Sequence, residues 1–385
     1  MSTPLPTPQR FDPSQYVITA GSSLSIPLHI LPLTGINPAP PTPNVLPGND
    51  TAAADVGKNN DGGGSGGYKI GIMLAIAASG GSATPKMFEF DTGGQGFWVD
   101  PTDTLPVPPA SECTITITYT SGMVYQAVPT PATITFAETG SPNVAPLSVN
   151  AVVGMIGSVA GPQVFPIFKN FWGDFGCALQ GFTNQGAANY TPSLLTALAQ
   201  LPAPYNTGFI VDVGPYPGDP APKEIPPGQL IVGLTDQLRA LFPNTVKMTP
   251  GIPYDSIATY LENVINGNLT IVSNSDAASP ANTANGIGVV FDTGAPTTVV
   301  HFGKEVSFGP QPGDSLQLVP SADANQYALL AFQVGTESGS NAAGASQKNV
   351  LNLRAGYINT GLNAFFAYPV MFDLQKGLIG FPATS

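Results

Sequence analysis

The tetrapeptide Phe-Asp-Thr-Gly occurs twice in this chain, at residues 90–93 and 291–294, and each copy follows an apolar run typical of a buried strand. The two aspartates, Asp91 and Asp292, are 201 residues apart, and the chain has only 24 acidic residues in 385. A single Asp-Thr-Gly is most simply a tight turn after a strand, but its recurrence after a second strand would be rare by chance. The repeat therefore indicates an internal duplication.

A second feature repeats along with the tetrapeptide. Downstream of each copy lies an apolar-flanked glycine: Gly157 follows Asp91 by 66 residues (157 − 91), and Gly361 follows Asp292 by 69 residues (361 − 292). A pattern that restarts in the same order predicts two similar β-rich halves related by a pseudo-twofold axis.

The repeated residues suit one kind of chemistry if the two copies meet. An Asp at the end of a buried strand is held by its backbone, a Thr hydroxyl can bond across to the other copy, and Gly permits a tight turn. Two adjacent carboxylates cannot both ionise easily, so they share a proton, and then one can act as a general base on water while the other polarises a carbonyl. The candidate site is a dyad of Asp91 and Asp292, supported by Thr92, Gly93, Thr293 and Gly294.

The residues that follow the first motif resemble the pepsin-type aspartic proteases. In that family the first motif is followed, at fixed spacing, by an apolar residue, Trp and Val. Residues 94–99, Gly-Gln-Gly-Phe-Trp-Val, have the same spacing. Residues 118–122, Thr-Tyr-Thr-Ser-Gly, resemble the family's flap, a hairpin that closes over substrate. The flap candidates are Tyr119, Ser121 and Gly122, with Tyr125 as an alternative flap residue.

The resemblance covers most of the chain from residue 68 to residue 381. Residues 154–157 are similar to the family's apolar-apolar-Gly loop, residues 191–201 to a helix of its first lobe, and residues 370–380 to its closing strands. It implies an all-β, bilobal pepsin-like fold with few short helices, and endopeptidase activity on an extended polypeptide without a cofactor. The residues it places beside the cleft are Trp98, Gly157 and Gly361.

Three departures from the family pattern concern the site. Gly94 and Ala295 stand where the family has hydroxyls that would bond the outer carboxylate oxygens, so we expect raised pKa values in the dyad and an optimum less acidic than that of a digestive enzyme. Glu89 lies on the same side of its strand as the first Asp, and we expect it to pair with a Lys. Asn359 and Thr360 replace two apolar residues of the second loop.

Composition limits the fold and the partners. Charged residues make up only 9% of the chain, while Gly (44) and Pro (41) are abundant, which favours a turn-dense β protein over a helical bundle. The net charge is −12 and the 12 Lys and Arg form no basic stripe, so we expect no nucleic-acid partner. No stretch reaches the ~20 apolar residues of a membrane span. We expect an extracellular or periplasmic monomer, although no signal peptide is visible in the sequence.

The two cysteines, Cys113 and Cys177, are too few for a zinc site. A disulfide between them and two free thiols are both compatible with the sequence. The two histidines, His29 and His301, give little support to a metal cluster or a Ser-His-Asp triad. The sequence therefore predicts no metal site.

Three segments divide the chain. Residues 1–67 combine an N-terminal strand with a Pro/Gly-rich linker or loop, residues 68–245 form a first lobe, and residues 246–385 form a second lobe. Residues 191–202 have the early Pro, apolar spacing and Pro stop of a helix. Two other interpretations are a catalytically silent relative that binds protein or carbohydrate, and a structural β protein.

Overall fold

A computed structural model describes most of the chain. The described residues are 5–32, 67–78, 81–100, 106, 108–118, 124–140, 146–160, 171–180, 193–218, 221–251, 258–274, 281–303, 308–323, 327–335, 345–349 and 356–384. The predicted flap residues Tyr119, Ser121 and Gly122 and almost all of the predicted Pro/Gly-rich linker lie outside them.

Strands dominate the described residues. In chain order they are β1 (Leu24–Pro32), β2 (Tyr68–Ala78), β3 (Lys86–Asp91), β4 (Phe97–Val99), β5 (Ile115–Thr118), β6 (Val124–Phe136), β7 (Leu147–Ala160), β8 (Gly173–Gly176), β9 (Gly208–Asp212), β10 (Gly228–Val232), β11 (Asn244–Lys247), β12 (Ile265–Val272), β13 (Asn282–Val290), β14 (Thr298–Phe302), β15 (Ser315–Pro320), β16 (Leu330–Gln333), β17 (Ala345–Asn349), β18 (Tyr357–Asn359), β19 (Val370–Asp373) and β20 (Leu378–Phe381). The prediction of an all-β protein is confirmed.

The α-helices of the described residues are short: α1 (Ser193–Gln200), α2 (Asp236–Ala240) and α3 (Leu362–Ala367). α1 lies within the segment that the sequence predicts as a helix, so that prediction is confirmed. Among the described residues, no helix is long and apolar enough to cross a membrane.

The larger sheet of the described residues runs in the order β11-β20-β19-β9-β10-β1-β2-β3-β8-β4-β7-β6-β5. Its first six strands pair antiparallel and combine strands from the two ends of the chain with strands from its middle. β1 pairs with both β10 and β2, so it joins this six-stranded part to the part that carries the first motif.

The smaller sheet runs in the order β16-β15-β12-β13-β18-β14-β17, and the second motif follows β13. β18 lies between β13 and β14, parallel to the first and antiparallel to the second. In the larger sheet, β8 lies between β3 and β4 in the same way. The two motifs therefore have the same local topology, as the duplication predicts.

Buried aromatic rings anchor the strand end before each motif. Phe90 and Phe97 pack around Phe175, with ring centroids 6.4 and 4.9 Å from it. Phe291 packs on Phe365 at 6.4 Å. Each fully buried Phe contributes roughly 1.5–3 kcal/mol of hydrophobic free energy. This packing fixes the backbone on which each aspartate sits.

The segment before β1 packs on the six-stranded part of the larger sheet. Arg10 forms an ion pair with the buried Asp212 of β9 and donates to the Phe365 carbonyl at 2.6 Å. The Tyr16 hydroxyl donates to the same carboxylate at 3.0 Å. A buried carboxylate needs such partners, so this segment forms an integral part of the packed structure.

Candidate active site

The two Asp-Thr-Gly loops interlock where the two sheets meet. Asp91 ends β3, and Asp292 lies two residues beyond the end of β13. A Cβ atom placed on Gly93 would overlap the Asp292 carboxyl, and one placed on Gly294 would overlap the Asp91 carboxyl. Each glycine therefore lies against the aspartate of the other motif, and only Gly leaves room for this approach.

Thr92 and Thr293 hold the loops together by reciprocal hydrogen bonds. The Thr92 amide donates to Thr293 Oγ1 at 3.0 Å, and the Thr293 amide donates to Thr92 Oγ1 at 2.9 Å. Each hydroxyl then donates to a carbonyl of the other strand, Thr92 to Phe291 at 2.8 Å and Thr293 to Phe90 at 2.6 Å. All four bonds are buried, so a lost partner leaves a polar group unsatisfied, at a cost of about 1–3 kcal/mol.

The inner oxygen Oδ1 of each aspartate accepts two amide hydrogen bonds from its own loop. For Asp91 they come from the second and third residues downstream, both at 2.8 Å. For Asp292 they come from the same positions, at 2.7 and 3.2 Å. The backbone therefore holds the two carboxyls in matching orientations.

The pKa of Asp91 is raised well above its usual range. Burial is the main cause, followed by the neighbouring charge of Asp292, then by Asp174 and Glu89, and a hydrogen bond with the Asp292 carboxyl adds to the shift. Two carboxyls this close share a proton, which is the arrangement that the repeated motif predicts.

The strand that pairs with β3 beside the first motif is β8, whereas the sequence analysis placed Gly157, a residue of β7, beside the cleft. β3 pairs in parallel with β8, which puts Asp91 opposite Gly176, and Gly361 occupies the corresponding place two residues beyond β18. Gly157 lies in β7, where an added Cβ would be 2.5 Å from Cys113 Sγ. The prediction that Gly157 is the partner of Gly361 beside the cleft is therefore wrong, because a short apolar-apolar-Gly pattern fits several strands.

Asn359 binds the outer oxygen of Asp292. Its Nδ2 donates to Asp292 Oδ2 at 2.5 Å, while its Oδ1 accepts the Gly361 amide at 2.9 Å, which fixes the orientation of the side-chain amide. This bond replaces the one that a hydroxyl at Ala295 would make. In the sequence, Asn359 was noted only as a departure from the family pattern. A polar residue where the family has an apolar one could have indicated a hydrogen bond to the dyad.

Asp174 lies beside Asp91 in the first lobe. A Cβ atom placed on Gly94 would be 2.6 Å from Asp91 Oδ2 and 3.2 Å from Asp174 Oδ2, so the two carboxyls converge on the place of the missing Ser or Thr side chain. Asp174 is buried in β8. The sequence analysis did not identify Asp174, since its segment, residues 168–176, is rich in aromatic residues and repeats no part of the motif.

An ion pair between the buried Lys69 and the partly buried Glu89 flanks the dyad. Lys69 donates to the Glu89 carboxylate and to the Gly294 carbonyl. Burial opposes the charged form of Lys69, but the charge and hydrogen bond of Glu89, with smaller effects of Asp91 and Asp292, raise its pKa overall. The predicted pairing of Glu89 with a Lys is confirmed, whereas the contact of that Lys with the second motif was not foreseen.

Trp98 and Tyr125 are core residues of the first lobe. Trp98 is fully buried, its indole Nε1 donates to the Gln95 carbonyl at 2.8 Å, and its ring lies 5.9 Å from that of Tyr125. Both belong to one apolar cluster. Tyr125 is therefore buried against Trp98 in this cluster, next to the predicted flap residues that lie outside the described part of the chain.

Both cysteines are free thiols, so the disulfide alternative is wrong. Cys113 lies against Gly157 of β7, whereas Cys177 follows β8 and its Sγ donates to the Phe175 carbonyl at 3.2 Å. Within the described part of the chain, no group of three His, Cys, Asp or Glu residues is arranged to hold a metal ion.

The two sheets and the interlocked loops define a bilobal, all-β, pepsin-like fold. The chain is similar to the crystal structure of the aspartic proteinase from Irpex lacteus, with a TM-score of 0.51 over 94% of this chain and 98% of that chain. Sequence identity is 15%, so this likeness concerns the fold. No protein-family model and no curated protein sequence matches the chain.

Proposed function

We propose that this protein is an aspartic endopeptidase that hydrolyses peptide bonds of polypeptide substrates. The observation that carries the proposal is the approach of Asp91 and Asp292 across loops that Thr92 and Thr293 bind to each other. The fold of the Irpex lacteus aspartic proteinase supports it. Both motifs are intact, which argues against a catalytically silent relative.

The chemistry needs a water molecule and one shared proton. The ionised carboxylate takes a proton from the water as its oxygen attacks the peptide carbonyl, and the protonated carboxyl hydrogen-bonds the carbonyl oxygen. An extended substrate would bind through its backbone between the lobes. A low charge content limits the number of carboxylates that acid must protonate, so it suits a monomer that works outside the cell or in the periplasm.

Digestion of an unstructured protein between pH 3 and pH 7 tests the proposal, with cleavage products followed by mass spectrometry. We expect cleavage that a pepstatin-like inhibitor blocks and that falls by about 100-fold or more in Asp91→Asn and Asp292→Asn. Asp236→Asn is the matched control, since the Asp236 side chain is 99% exposed in α2 and its loss should leave cleavage unchanged.

Two results would contradict the proposal. Absence of cleavage at every pH by the folded wild-type protein would favour a silent binding protein. Cleavage that persists in both dyad variants would place the activity elsewhere. An optimum near pH 2 would leave the activity intact but overturn the expectation of a less acidic enzyme.

A further inference from the structure

Asp174 and Asn359 occupy equivalent positions in the two lobes. Asp174 of β8 is opposite Glu89, and Asn359 of β18 is opposite Val290. Glu89 and Val290 each precede their dyad aspartate by two residues. The two side chains therefore approach the two carboxyls from corresponding strands, one as a carboxyl and the other as an amide.

On the Asp292 side, the neighbouring Asn359 acts as a hydrogen-bond donor to the carboxyl. Asn359 Nδ2 faces Asp292 Oδ2 at 2.5 Å, and the Gly361 amide occupies the other end of the Asn359 side chain. With the two amides at Asp292 Oδ1, this gives the carboxyl three hydrogen-bond donors. Hydrogen bonds donated to a carboxylate stabilise its ionised form.

On the Asp91 side, the charges of the described neighbours favour a proton. The titratable and charged groups that face Asp91 are Asp292 of the second motif, Glu89 of β3, Asp174 of β8, Lys69 of β2, Tyr125 of β6 and Cys177 after β8. Lys69 is the cation of this set and is bonded to Glu89. The carboxyl of Asp174 therefore adds negative charge at the outer oxygen of Asp91, where Asp292 has a donor.

We propose that Asp174 and Asn359 are positioning residues that fix the shared proton, so that Asp91 is the general acid and Asp292 is the general base. This assignment rests on the proposed peptidase function. Asp174 and Asn359 occupy equivalent positions in the fold. The difference between a carboxyl and an amide at these positions therefore decides which of the two dyad carboxyls holds the proton.

The assignment gives a balanced sequence of steps. Asp292 takes a proton from water as the water oxygen bonds to the peptide carbon, and Asp91 gives its proton to the carbonyl oxygen, which yields a neutral gem-diol. Asp292 then passes its proton to the amide nitrogen as the C–N bond breaks. Asp91 recovers a proton from a gem-diol hydroxyl, so the acid and amine products leave and the dyad returns to its starting state.

Binding of a statine-containing peptide to the two dyad variants tests which carboxyl holds the proton. Asn imitates a protonated Asp, so Asp91→Asn keeps the proposed resting charge of the dyad, whereas in Asp292→Asn burial and the charges of Asp174 and Glu89 still favour a proton on Asp91 and the dyad is left neutral. We expect calorimetry to show that Asp91→Asn binds the inhibitor at least about tenfold more tightly than Asp292→Asn, since a hydrogen bond to a charged group is involved only in the former. The reverse order, or equal affinities, would overturn the assignment.

The pH–rate profiles of variants at the two positioning residues form the second test. Asp174→Asn removes a negative neighbour from Asp91, so the basic limb should move down by about one pH unit. Asn359→Leu removes a donor from Asp292, so the acidic limb should move up by about one pH unit. A uniform loss of activity with unmoved limbs would show a structural role only and would overturn the proposal.

The outcomes separate this inference from the proposed function. A wild-type protein that neither cleaves peptide bonds nor binds the statine peptide would refute the peptidase itself. A wild-type protein that does both, with limbs that stay in place in Asp174→Asn and Asn359→Leu, would refute only the assignment of the proton.

Discussion

The two motif loops share their backbone geometry but differ in the charge around it. In both lobes a Thr bonds the opposite loop and a Gly lies against the opposite carboxyl. The first lobe then surrounds its aspartate with Glu89 and Asp174, whereas the second lobe has Val290 and Asn359 at the same positions. The residues that set geometry are duplicated, and the residues that set charge are not.

This difference shows how a symmetric scaffold can hold an asymmetric reaction. Two identical carboxyls would have no preferred place for one proton, while acid–base chemistry needs a donor and an acceptor. Substitutions at the positions of Asp174 and Asn359 can favour a proton on one of the two carboxyls. They need not disturb the interlocked loops, because the contacts of the motif Thr and Gly residues do not involve these two side chains. The variants below test the equivalence of the lobes and its limits.

The largest effect is expected at the paired glycines. An added Cβ would overlap a backbone carbonyl both at Gly176 and at Gly361, where φ is +56° as well, so each change to Ala should cost about 4 kcal/mol or more in urea unfolding. At Gly157 the contact is with the Cys113 side chain, so Gly157→Ala should be largely relieved by Cys113→Ala. Clearly different costs at Gly176 and Gly361 would contradict their equivalence, and an equal cost at Gly157 with no relief by Cys113→Ala would contradict the distinction between Gly157 and this pair.

The buried ion pair should give the next largest effect. Lys69→Met leaves the partly buried Glu89 without its cation, which should cost about 3 kcal/mol of unfolding free energy, the low end of the range for buried pairs. The double variant Lys69→Met/Glu89→Val copies the Val290 of the second lobe and should recover most of that loss. If the double variant is as unstable as the single one, Lys69 stabilises the fold mainly through the Gly294 carbonyl.

The two threonines should be equivalent. Thr92→Val and Thr293→Val each remove the hydroxyl from a buried pair of hydrogen bonds, so both should cost about 1–3 kcal/mol in urea unfolding. The double variant should cost less than the sum, since the residues share one network. Thr118→Val, on an exposed position of β5, is the control and should have little effect. Clearly unequal costs would break the symmetry of the loops.

The smallest effect is expected at Asp100, which lies nine residues after Asp91. The corresponding residue of the second lobe, nine residues after Asp292, is His301. Burial raises the pKa of Asp100 to about 6. The folded protein therefore holds a proton between about pH 4 and pH 6 that the unfolded chain has lost, so stability falls as pH rises through this window.

Asp100→Asn should remove that part of the pH dependence. We expect it to stabilise the protein by about 1–2 kcal/mol at pH 7 and by little at pH 4, measured by urea unfolding at both values. Asp236→Asn should have no such pH-dependent effect, because Asp236 is exposed. A gain of the same size at both pH values would point to an effect other than proton binding.

Much of this architecture could be predicted because it is encoded in short stretches of sequence. Apolar runs before the motifs predicted β3 and β13, and the Pro-bounded apolar segment predicted α1. The prediction that Glu89 pairs with a Lys is confirmed by its ion pair with Lys69. The prediction that Gly157 lies beside the cleft failed because local spacing cannot tell whether β7 or β8 pairs with β3.

The sequence by itself determined the duplication, the all-β class and the dyad candidates, since periodicity and the repeated tetrapeptide can be recognised without knowing any contact. Only the tertiary structure decided which side chains surround each carboxyl. Asp174 and Asn359 reach the dyad through parallel pairing of strands that are distant in sequence. That pairing depends on how the whole sheet buries its apolar faces, so the charge asymmetry of the site emerges only when the chain is folded.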